Sequence, residues 1–332
     1  MTSPRVLVVL LNYRTAQMTL KAAQAALADM PKTAELVIVD NASGDGSAEV
    51  LGQAIKDNNW DAGDRVRLIL SPVNGGFGAG NNLGMQAGMS DGTKPDYFYI
   101  LNSDAFPDAG CLAALIEHLQ AKPQAGFAGS HVRGEDGVAH TTAFRFPSIA
   151  GEFEGAARFG PITRMLKSSV VAPDLPRTTT QVDWVAGASV LVRASMIDAI
   201  GGFDETFFLY FEETDLCKRA ADAGWECWYL PEAGVVHIGS VSTGMKEWQR
   251  MPTYWFASRR HYYTKNHGAL YAAAATVARL AGGAIHVVRC KLTGRPTHDA
   301  PRFHRDLIAF SLGLSPRVRT VEPRRALPEK NT

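Results

Sequence analysis

Three acidic side chains lie within four positions of one another in the second half of the chain. Glu212, Glu213 and Asp215 directly follow the aromatic run FFLYF of residues 207–211. A carboxylate in such a place can act as a general base that takes a proton from a hydroxyl group. The same acids also suit the first turn of an ordinary helix, where they oppose the positive end of the helix dipole, and Asp215 lies four residues before Arg219. On this stretch alone, a catalytic base and a charged helix start both stay open.

A second group of polar residues could bind a divalent metal ion. Asn102, Ser103 and Asp104 follow the run YFYIL of residues 97–101, which is typical of a buried strand. Oxygen ligands at the tip of such a strand suit Mg²⁺ or Mn²⁺ with a bound diphosphate. The alternative is an Asx-turn that ends the strand. His237, in GVVHIGS, is either an imidazole ligand or a core residue whose ring is already hydrogen-bonded.

The elements that must position these residues alternate between strand and helix. Apolar runs predict strands at residues 5–11, 36–39 and 66–71, with helical stretches around 15–29 and 47–57. This alternation predicts an α/β protein with a parallel sheet and right-handed crossovers. Ligands of such sheets bind beyond the carboxyl ends of the strands. The polar residues after the first two strands are therefore candidate ligand contacts: Asn12, Tyr13, Asp40 and Asn41.

A glycine-rich segment follows the third strand. Its sequence, NGGFGAGNNLG, covers residues 74–84 and includes Gly76 and Asn81. Dense glycine lets the backbone approach a ligand closely, and a helix that begins here would direct amide groups at an anion. A tight turn without a ligand is the alternative. The segment lacks the Lys-Ser/Thr of a P-loop and the GxGxxG spacing of a dinucleotide site. A dinucleotide-dependent oxidoreductase is disfavoured because NYRT follows the first strand without a glycine fingerprint.

Composition and charge indicate the surroundings of the protein. The 332 residues are 46% apolar and 20% charged, as in an ordinary globular protein. The four cysteines form no CxxC pair, and the N-terminal run VLVVLL is too short for a signal peptide, so we expect a cytoplasmic protein. Residues 245–332 hold 16 lysines and arginines against 5 acids, a balance of +11, whereas the first 244 residues have a balance of −10. This asymmetry predicts an anionic surface or partner at the C-terminal end, with a solvated basic tail as the alternative.

The alanine-rich segment 269–294 belongs to this basic end. Arg279, Arg289 and a pair of glycines interrupt it, which makes it too polar and broken for a clear membrane span. We expect a helix that lies on an anionic membrane or, equally, one that packs on the protein or at a dimer interface. A homodimer therefore stays open, and no nucleic-acid partner is expected.

Seven motifs occur together in one order. They are LLNYRT, VIVDNASGDGS, NGGFGAGNNLG, YILNSDAF, VDWVAGASVLVR, GGFDETFFLYFEETDLCKRAADAGW and GVVHIGS. The ensemble resembles glycosyltransferase family 2, in particular its bacterial rhamnosyltransferase-like and galactofuranosyltransferase-like branch, over residues 5–265. The resemblance implies a GT-A fold, a Rossmann-like mixed sheet flanked by helices. It divides the chain into a nucleotide-sugar-binding half (1–130), an acceptor-binding and catalytic half (131–265) and a basic helical extension (266–332).

The resemblance also implies roles for single residues. Asp40 matches an acid that contacts the nucleotide base or ribose. Asp104 matches the last acid of the family's metal motif, and His237 matches a histidine of the metal shell in the galactofuranosyl branch. Asn102 departs from the strict motif, so one anionic ligand is missing. Glu213 matches the catalytic base, where aspartate is the commoner residue.

Further assignments concern the donor sugar and the acceptor. Trp184 is expected to pack against a sugar face or in the core, while Glu212 and Asp215 orient the acceptor or cap the helix. Residues 131–181 lack clear periodicity and are expected to form a mobile acceptor-side loop region. The predicted nucleotide-sugar contacts are Asn12, Tyr13, Asp40, Asn41, Gly76, Asn81, Asn102, Ser103, Asp104 and Gly187.

The resemblance implies an inverting, metal-dependent hexosyltransferase of cell-surface polysaccharide synthesis. It would move a sugar, with rhamnose favoured, from a dTDP or UDP carrier to a saccharide or polyprenyl-linked glycan, at the inner face of the plasma membrane. A non-catalytic nucleotide-sugar-binding protein is the alternative, because the metal motif is incomplete. A nucleotidyltransferase fits the helix with Glu213 and the downstream His237 poorly.

Overall fold

A computed structural model describes residues 4–239, 250–297 and 299–314 of the chain. Their strands are β1 Val6–Asn12, β2 Glu35–Asp40, β3 Val66–Leu70, β4 Tyr97–Asn102, β5 Ala105–Pro107, β6 Ala125–Arg133, β7 Ala143–Phe144, β8 Thr180–Val182, β9 Trp184–Val185, β10 Ser189–Arg193 and β11 Glu226–His237. Their α-helices are α1 Ala16–Asp29, α2 Ser47–Asp57, α3 Gly76–Gln86, α4 Cys111–Ala121, α5 Ile149–Ala157, α6 Gly160–Met165, α7 Ala194–Ile200, α8 Glu212–Asp222, α9 Thr253–His267, α10 Ala269–Thr293 and α11 Phe303–Ser311.

One mixed sheet organises the protein. Its strand order is β3-β2-β1-β4-β10-β6-β11-β5, with β8 paired to β11. The first four strands are parallel, β10 runs antiparallel to β4 and β6, and β11 is parallel to β6. The apolar runs of β1 and β2 are buried, as expected for strands covered by helices on both faces. The predicted α/β class with a mixed sheet is confirmed.

The strand directions gather the polar residues at one edge of the sheet. The pairing places Asn12 opposite Asp40, and Leu11 opposite Asn102. Because β10 is antiparallel to β4, it begins at this edge, and β11 ends there at His237. Residues that are far apart in the sequence therefore meet beyond the carboxyl ends of the parallel strands.

The glycine-rich segment forms most of helix α3 and is not an open ligand-binding loop. Its glycines face neighbouring protein. A Cβ atom on Gly80 would lie 2.3 Å from a methyl group of Leu11, and one on Gly84 would lie 2.4 Å from a methyl group of Val9. Glycine is needed at these positions because α3 packs directly on β1.

The prediction of a loop region at residues 131–181 was wrong in large part, since this segment contains β7, β8, α5 and α6. Ser148 caps α5 by accepting a hydrogen bond from the Gly151 N–H (3.0 Å). Glu152 in the same helix accepts from Arg259 and Arg279 (2.8 Å each). Burial alone would raise the pKa of Glu152, but Arg279 and Arg259 hold it below its ordinary value. These ion pairs join α5 to α9 and α10, and they could not be read from local periodicity.

The alanine-rich segment forms one continuous 25-residue helix, α10, despite its two glycines. A Cβ atom on Gly282 would lie 2.3 Å from the Phe153 carbonyl oxygen, and one on Gly283 would clash with His304. The glycines therefore allow close packing and do not break the helix. The expectation that the segment is broken was wrong, because the helix is continuous. By length and composition alone, α10 could cross a membrane. The remaining basic residues of the C-terminal end, at 240–249 and 315–332, lie outside the described residues.

Candidate active site

Glu212 and Glu213 begin helix α8 directly after a tight turn. Tyr210 and Phe211 have φ angles of 71° and 69°, in the left-handed region that aromatic residues rarely adopt. The turn brings both carboxylates into the protein. Glu212 is only 2% exposed, whereas Glu213 is partly accessible.

The surroundings of the two carboxylates perturb their protonation. Burial raises the pKa of Glu212 well above its ordinary value, and the neighbouring charge of Glu213 raises it further. Burial also raises the pKa of Glu213, and the nearby backbone N–H groups of Glu213 itself and of Gly187 oppose this rise. Among the described residues, neither Oε2 atom has a hydrogen-bond partner. Both Oε2 atoms are buried, but Glu213 as a residue is the more exposed of the two, which makes it the better candidate for proton exchange with a ligand.

Asp215, one turn further into α8, is fully buried and ion-paired. Its carboxylate accepts from Arg219 (2.9 Å), from Lys265 (2.8 Å) and from the Asn266 amide (3.0 Å). Lys265 also contacts Asp204 (2.7 Å), so it connects α8 and the preceding loop to α9. These contacts fit a positioning role for Asp215 rather than a direct contact with an acceptor.

Asn102, Asp104 and His237 converge at the end of β4 and β11. The His237 Nε2 atom lies 3.0 Å from Asp104 Oδ1 and 3.4 Å from Asn102 Nδ2. One ring nitrogen cannot donate to the carboxylate and accept from the amide in a single tautomer. This convergence of oxygen and nitrogen donors fits a divalent ion such as Mn²⁺ or Mg²⁺, with phosphate or water oxygens completing the shell. Across the described ranges, no group of three or more His, Cys, Asp or Glu side chains is arranged so that it could hold a metal ion by itself.

A short backbone path links this group to the base candidate. The Asn102 N–H donates to the carbonyl oxygen of Ala188 (3.0 Å), and the backbone N–H of the adjacent Gly187 lowers the pKa of Glu213. A Cβ atom on Gly187 would lie 3.0 Å from the Phe77 ring. The turn before β10 therefore joins the metal candidates, α3 and the start of α8, which explains the small residues at this position.

The first two strands end in a closed hydrogen-bond network. Asp40 accepts from the Asn12 amide (2.6 Å) and from the Ser43 hydroxyl (2.5 Å). Asn12 is fully buried, and its own oxygen accepts from Thr19 (2.7 Å). Asn12 therefore orients Asp40 and is not exposed for direct contact with a nucleotide.

The other predicted contacts around α3 are also mostly buried. Asn41 donates to the carbonyl oxygen of Gly76 (3.0 Å), and a Cβ atom on Gly76 would lie 1.9 Å from the Phe208 carbonyl oxygen. Gly76 thus serves a close contact with the loop before α8. Asn81 is fully buried, and its amide donates to the Phe77 carbonyl oxygen (2.9 Å). The Oδ1 atoms of Asn41 and Asn81 have no partner in the described part of the chain and could accept hydrogen bonds.

Comparison with known proteins assigns the chain to a family. Residues 6–169 match the profile of Glycosyl transferase family 2, and residues 97–289 match that of Glycosyl transferase family group 2. The N-acetylglucosaminyl-diphospho-decaprenol L-rhamnosyltransferase of Mycobacterium tuberculosis is 30% identical over 244 residues, which cover 68% of this chain and 75% of that protein. The chain belongs to glycosyltransferase family 2. The protein is therefore a glycosyltransferase.

Two further comparisons agree with this assignment. The transferase is 30% identical over 166 residues to the rhamnosyltransferase WbbL of Escherichia coli, covering 49% of this chain and 60% of WbbL. The mannosyltransferase PcManGT of Pyrobaculum calidifontis, solved with GDP-Man and Mn²⁺, superposes with a TM-score of 0.56 at 16% identity, covering 94% of this chain and 80% of that one. The structural likeness confirms the GT-A fold.

Three further residues of the transferase were predicted to contact the sugar or the nucleotide. Trp184 stacks on Phe144 with 4.1 Å between ring centroids and donates its indole N–H to the Arg145 carbonyl oxygen (3.0 Å). Tyr13 is partly exposed, and Ser103 is buried 3.2 Å from the Thr15 hydroxyl. Roles for these residues in sugar or nucleotide binding stay predictions.

Sequence reasoning missed three residues beside the site. Arg14 lies two residues after the end of β1 and has a φ of 57°. Its side chain donates to the Ser43 carbonyl oxygen (3.0 Å) and lies over the Tyr13 ring. The His140 ring lies 6.4 Å from that of His237. Arg14 could have been found, because it follows the first strand within NYRT. His140 and Lys265 carry no local signal, since only the tertiary fold brings them here.

Proposed function

We propose that the transferase moves a sugar from a nucleoside diphosphate to a hydroxyl group of a glycan, with inversion at the anomeric carbon and Glu213 as the base. The observation that carries this proposal is Glu213, which is partly exposed as a residue at the start of α8, whose Oε2 atom has no hydrogen-bond partner among the described residues, and whose carboxyl pKa is raised by burial. The acceptor oxygen attacks the anomeric carbon while the bond from that carbon to the diphosphate oxygen breaks. The hydroxyl proton passes to Glu213.

Asp104 and His237 would hold the divalent ion, with Asn102 beside them. Bound there, the ion supplies positive charge that stabilises the departing diphosphate. Asn102 contributes no charge, so the ion would bind more weakly than at two carboxylates. The Mn²⁺ in the PcManGT complex supports a divalent ion.

The donor and acceptor follow from the relatives. Because the mycobacterial relative is a rhamnosyltransferase that acts on an N-acetylglucosaminyl-diphospho-decaprenol, we propose dTDP- or UDP-linked rhamnose as donor and a polyprenyl-linked glycan as acceptor. A lipid-linked acceptor would place the enzyme at the cytoplasmic face of the membrane, in cell-surface polysaccharide synthesis. The halves 1–130 and 131–265 would bind the donor and the acceptor around the shared sheet.

Transfer to a synthetic polyprenyl-diphosphate N-acetylglucosamine tests this function. Wild-type protein with dTDP-rhamnose and Mn²⁺ is expected to form a disaccharide of inverted configuration, detected by mass spectrometry and NMR. Glu213→Gln is expected to bind the donor in a thermal-shift assay but not to turn over. Equal turnover by wild type and Glu213→Gln would show that Glu213 is not the base. Donor binding without turnover by either protein would favour a non-catalytic binding protein.

A further inference from the structure

Helix α10 has two unlike faces. Its buried face packs on α5, α9 and α11 and includes Ala275, Gly282 and Gly283. The two arginines that make the sequence look polar point toward the protein. Arg279 pairs with Glu152 (2.8 Å), and Arg289 donates to the Arg158 carbonyl oxygen (2.8 Å). Arg279 and Arg289 therefore already have hydrogen-bond or ion-pair partners within the protein.

The outward face of α10 is an apolar stripe. Its members recur every three or four residues and are exposed: Leu270, Ala273, Val277, Ala281, Ala284, Val288 and Leu292. The four largest are 89%, 66%, 55% and 81% exposed in chain order. A helix rises about 1.5 Å per residue, so the stripe is about 33 Å long. Scattered apolar residues on a surface are ordinary, but a continuous stripe of this length indicates a surface that is covered in use.

Charge around the stripe indicates what covers it. Residues 248–298 contain no aspartate or glutamate but eight lysines and arginines. Of these, Arg260, Lys265, Lys291 and Arg295 are exposed, but Lys265 is already paired with Asp204 and Asp215. Lys291 lies beside Leu292 at the end of the stripe. An apolar stripe with basic residues at its end fits a bilayer interface with anionic headgroups, where lysine stems extend along the apolar surface and their charges stay with the lipid phosphates.

We infer that the α10 stripe is a membrane-docking surface, which lies in the plane of an anionic bilayer while the opposite face of the helix stays on the protein. A spanning orientation would have to break the ion pair of Arg279 with Glu152 and the packing of Gly282 and Gly283. In-plane docking keeps all of these contacts. The inference extends the proposed lipid-linked acceptor, but its test uses binding alone and does not depend on turnover.

Vesicle flotation tests the inference with full-length protein. Wild type is expected to float with phosphatidylcholine–phosphatidylglycerol vesicles and much less with phosphatidylcholine alone. Val277→Asp/Val288→Asp is expected to lose at least about tenfold in apparent affinity for the anionic vesicles, because two apolar side chains no longer enter the interface. The matched control is Val73→Asp/Val138→Asp, which changes the same charge at valines that are 64% and 60% exposed elsewhere. The control should float like wild type.

Three results would overturn the inference. The first is a wild type that stays unbound to anionic vesicles, and the second is a stripe variant that floats as well as the control. The third is a wild type that is a dimer in light scattering without vesicles, while the stripe variant is a monomer and the control variant stays a dimer. The stripe would then be covered by a second copy of the chain. Both variants must first show the melting temperature of the wild type. Turnover on a water-soluble acceptor is measured separately, so that a failure of the proposed chemistry is distinguished from a failure of docking.

Discussion

Replacing Glu213 by glutamine separates the role of a base from that of a buried charge. The amide keeps the size of the side chain and its oxygen can still accept hydrogen bonds, but it cannot act as a base. General-base catalysis contributes about 10²- to 10⁴-fold to rate, which corresponds to about 2.7–5.4 kcal/mol of transition-state stabilisation. We therefore expect kcat to fall by this factor while donor binding is retained.

The same substitution should make the folded protein more stable near neutral pH. Burial raises the pKa of Glu213 in the folded state above its ordinary value of 4.5. The stability that comes from the protonated form is fully present below pH 4.5 and is lost as pH rises through the folded pKa. A tenfold difference in proton affinity between the folded and unfolded states corresponds to about 1.4 kcal/mol. The gain from glutamine should therefore be large at neutral pH and vanish in acid.

The assay combines turnover and thermal unfolding across pH. Wild-type kcat/KM should rise with pH through an apparent pKa above 4.5. Glu117→Gln, on the exposed side of α4, is the matched control and should change neither activity nor stability. The reasoning is refuted if Glu213→Gln retains wild-type kcat. It is also refuted if the substitution lowers the melting temperature at neutral pH so far that unfolding explains the loss of activity.

Three further predictions concern the surroundings of this base. Asp104→Asn should weaken the thermal shift that Mn²⁺ and nucleotide produce together, because a carboxylate ligand is lost. Lys265→Met should destabilise the protein by about 1–3 kcal/mol in urea unfolding and lower kcat, because Asp215 is fully buried and loses a charged donor. Gly76→Ala should lower the melting temperature and donor affinity together, because its Cβ atom would lie 1.9 Å from the Phe208 carbonyl oxygen.

Each of these predictions has a control of the same chemistry. Asp57→Asn removes an exposed carboxylate at the end of α2 and should leave the metal-dependent shift unchanged. Lys94→Met removes an exposed ion pair with Asp198, which is worth at most about 1 kcal/mol. Gly155→Ala in α5 adds a methyl group in open space and should stabilise slightly. A variant that behaves like its control contradicts the corresponding structural argument.

Local sequence pattern was sufficient for much of the sheet and its helices. Continuous apolar runs predicted β1, β2 and β4, and the predicted helix 47–57 coincides with α2. The same logic predicted that polar residues would gather at the carboxyl ends of the strands, and the register confirms it for Asn12, Asp40 and Asn102. These features depend on period and strand direction, which a short stretch of chain carries by itself.

Only the tertiary structure decided what each polar residue contacts. The acids at 212, 213 and 215 look equivalent in the sequence. In the structure Glu212 is buried, Glu213 is partly exposed as a residue, and Asp215 is ion-paired with Lys265, which is 50 residues away. The glycines of α3 and α10 look like loop or breaker residues, yet they permit close packing on β1 and α5. Arg279 and Arg289 make α10 look polar in the sequence, but in the structure both side chains bind to groups of the protein. Periodicity records which face of an element is apolar, whereas exposure, ion pairing and close contact depend on distant parts of the chain.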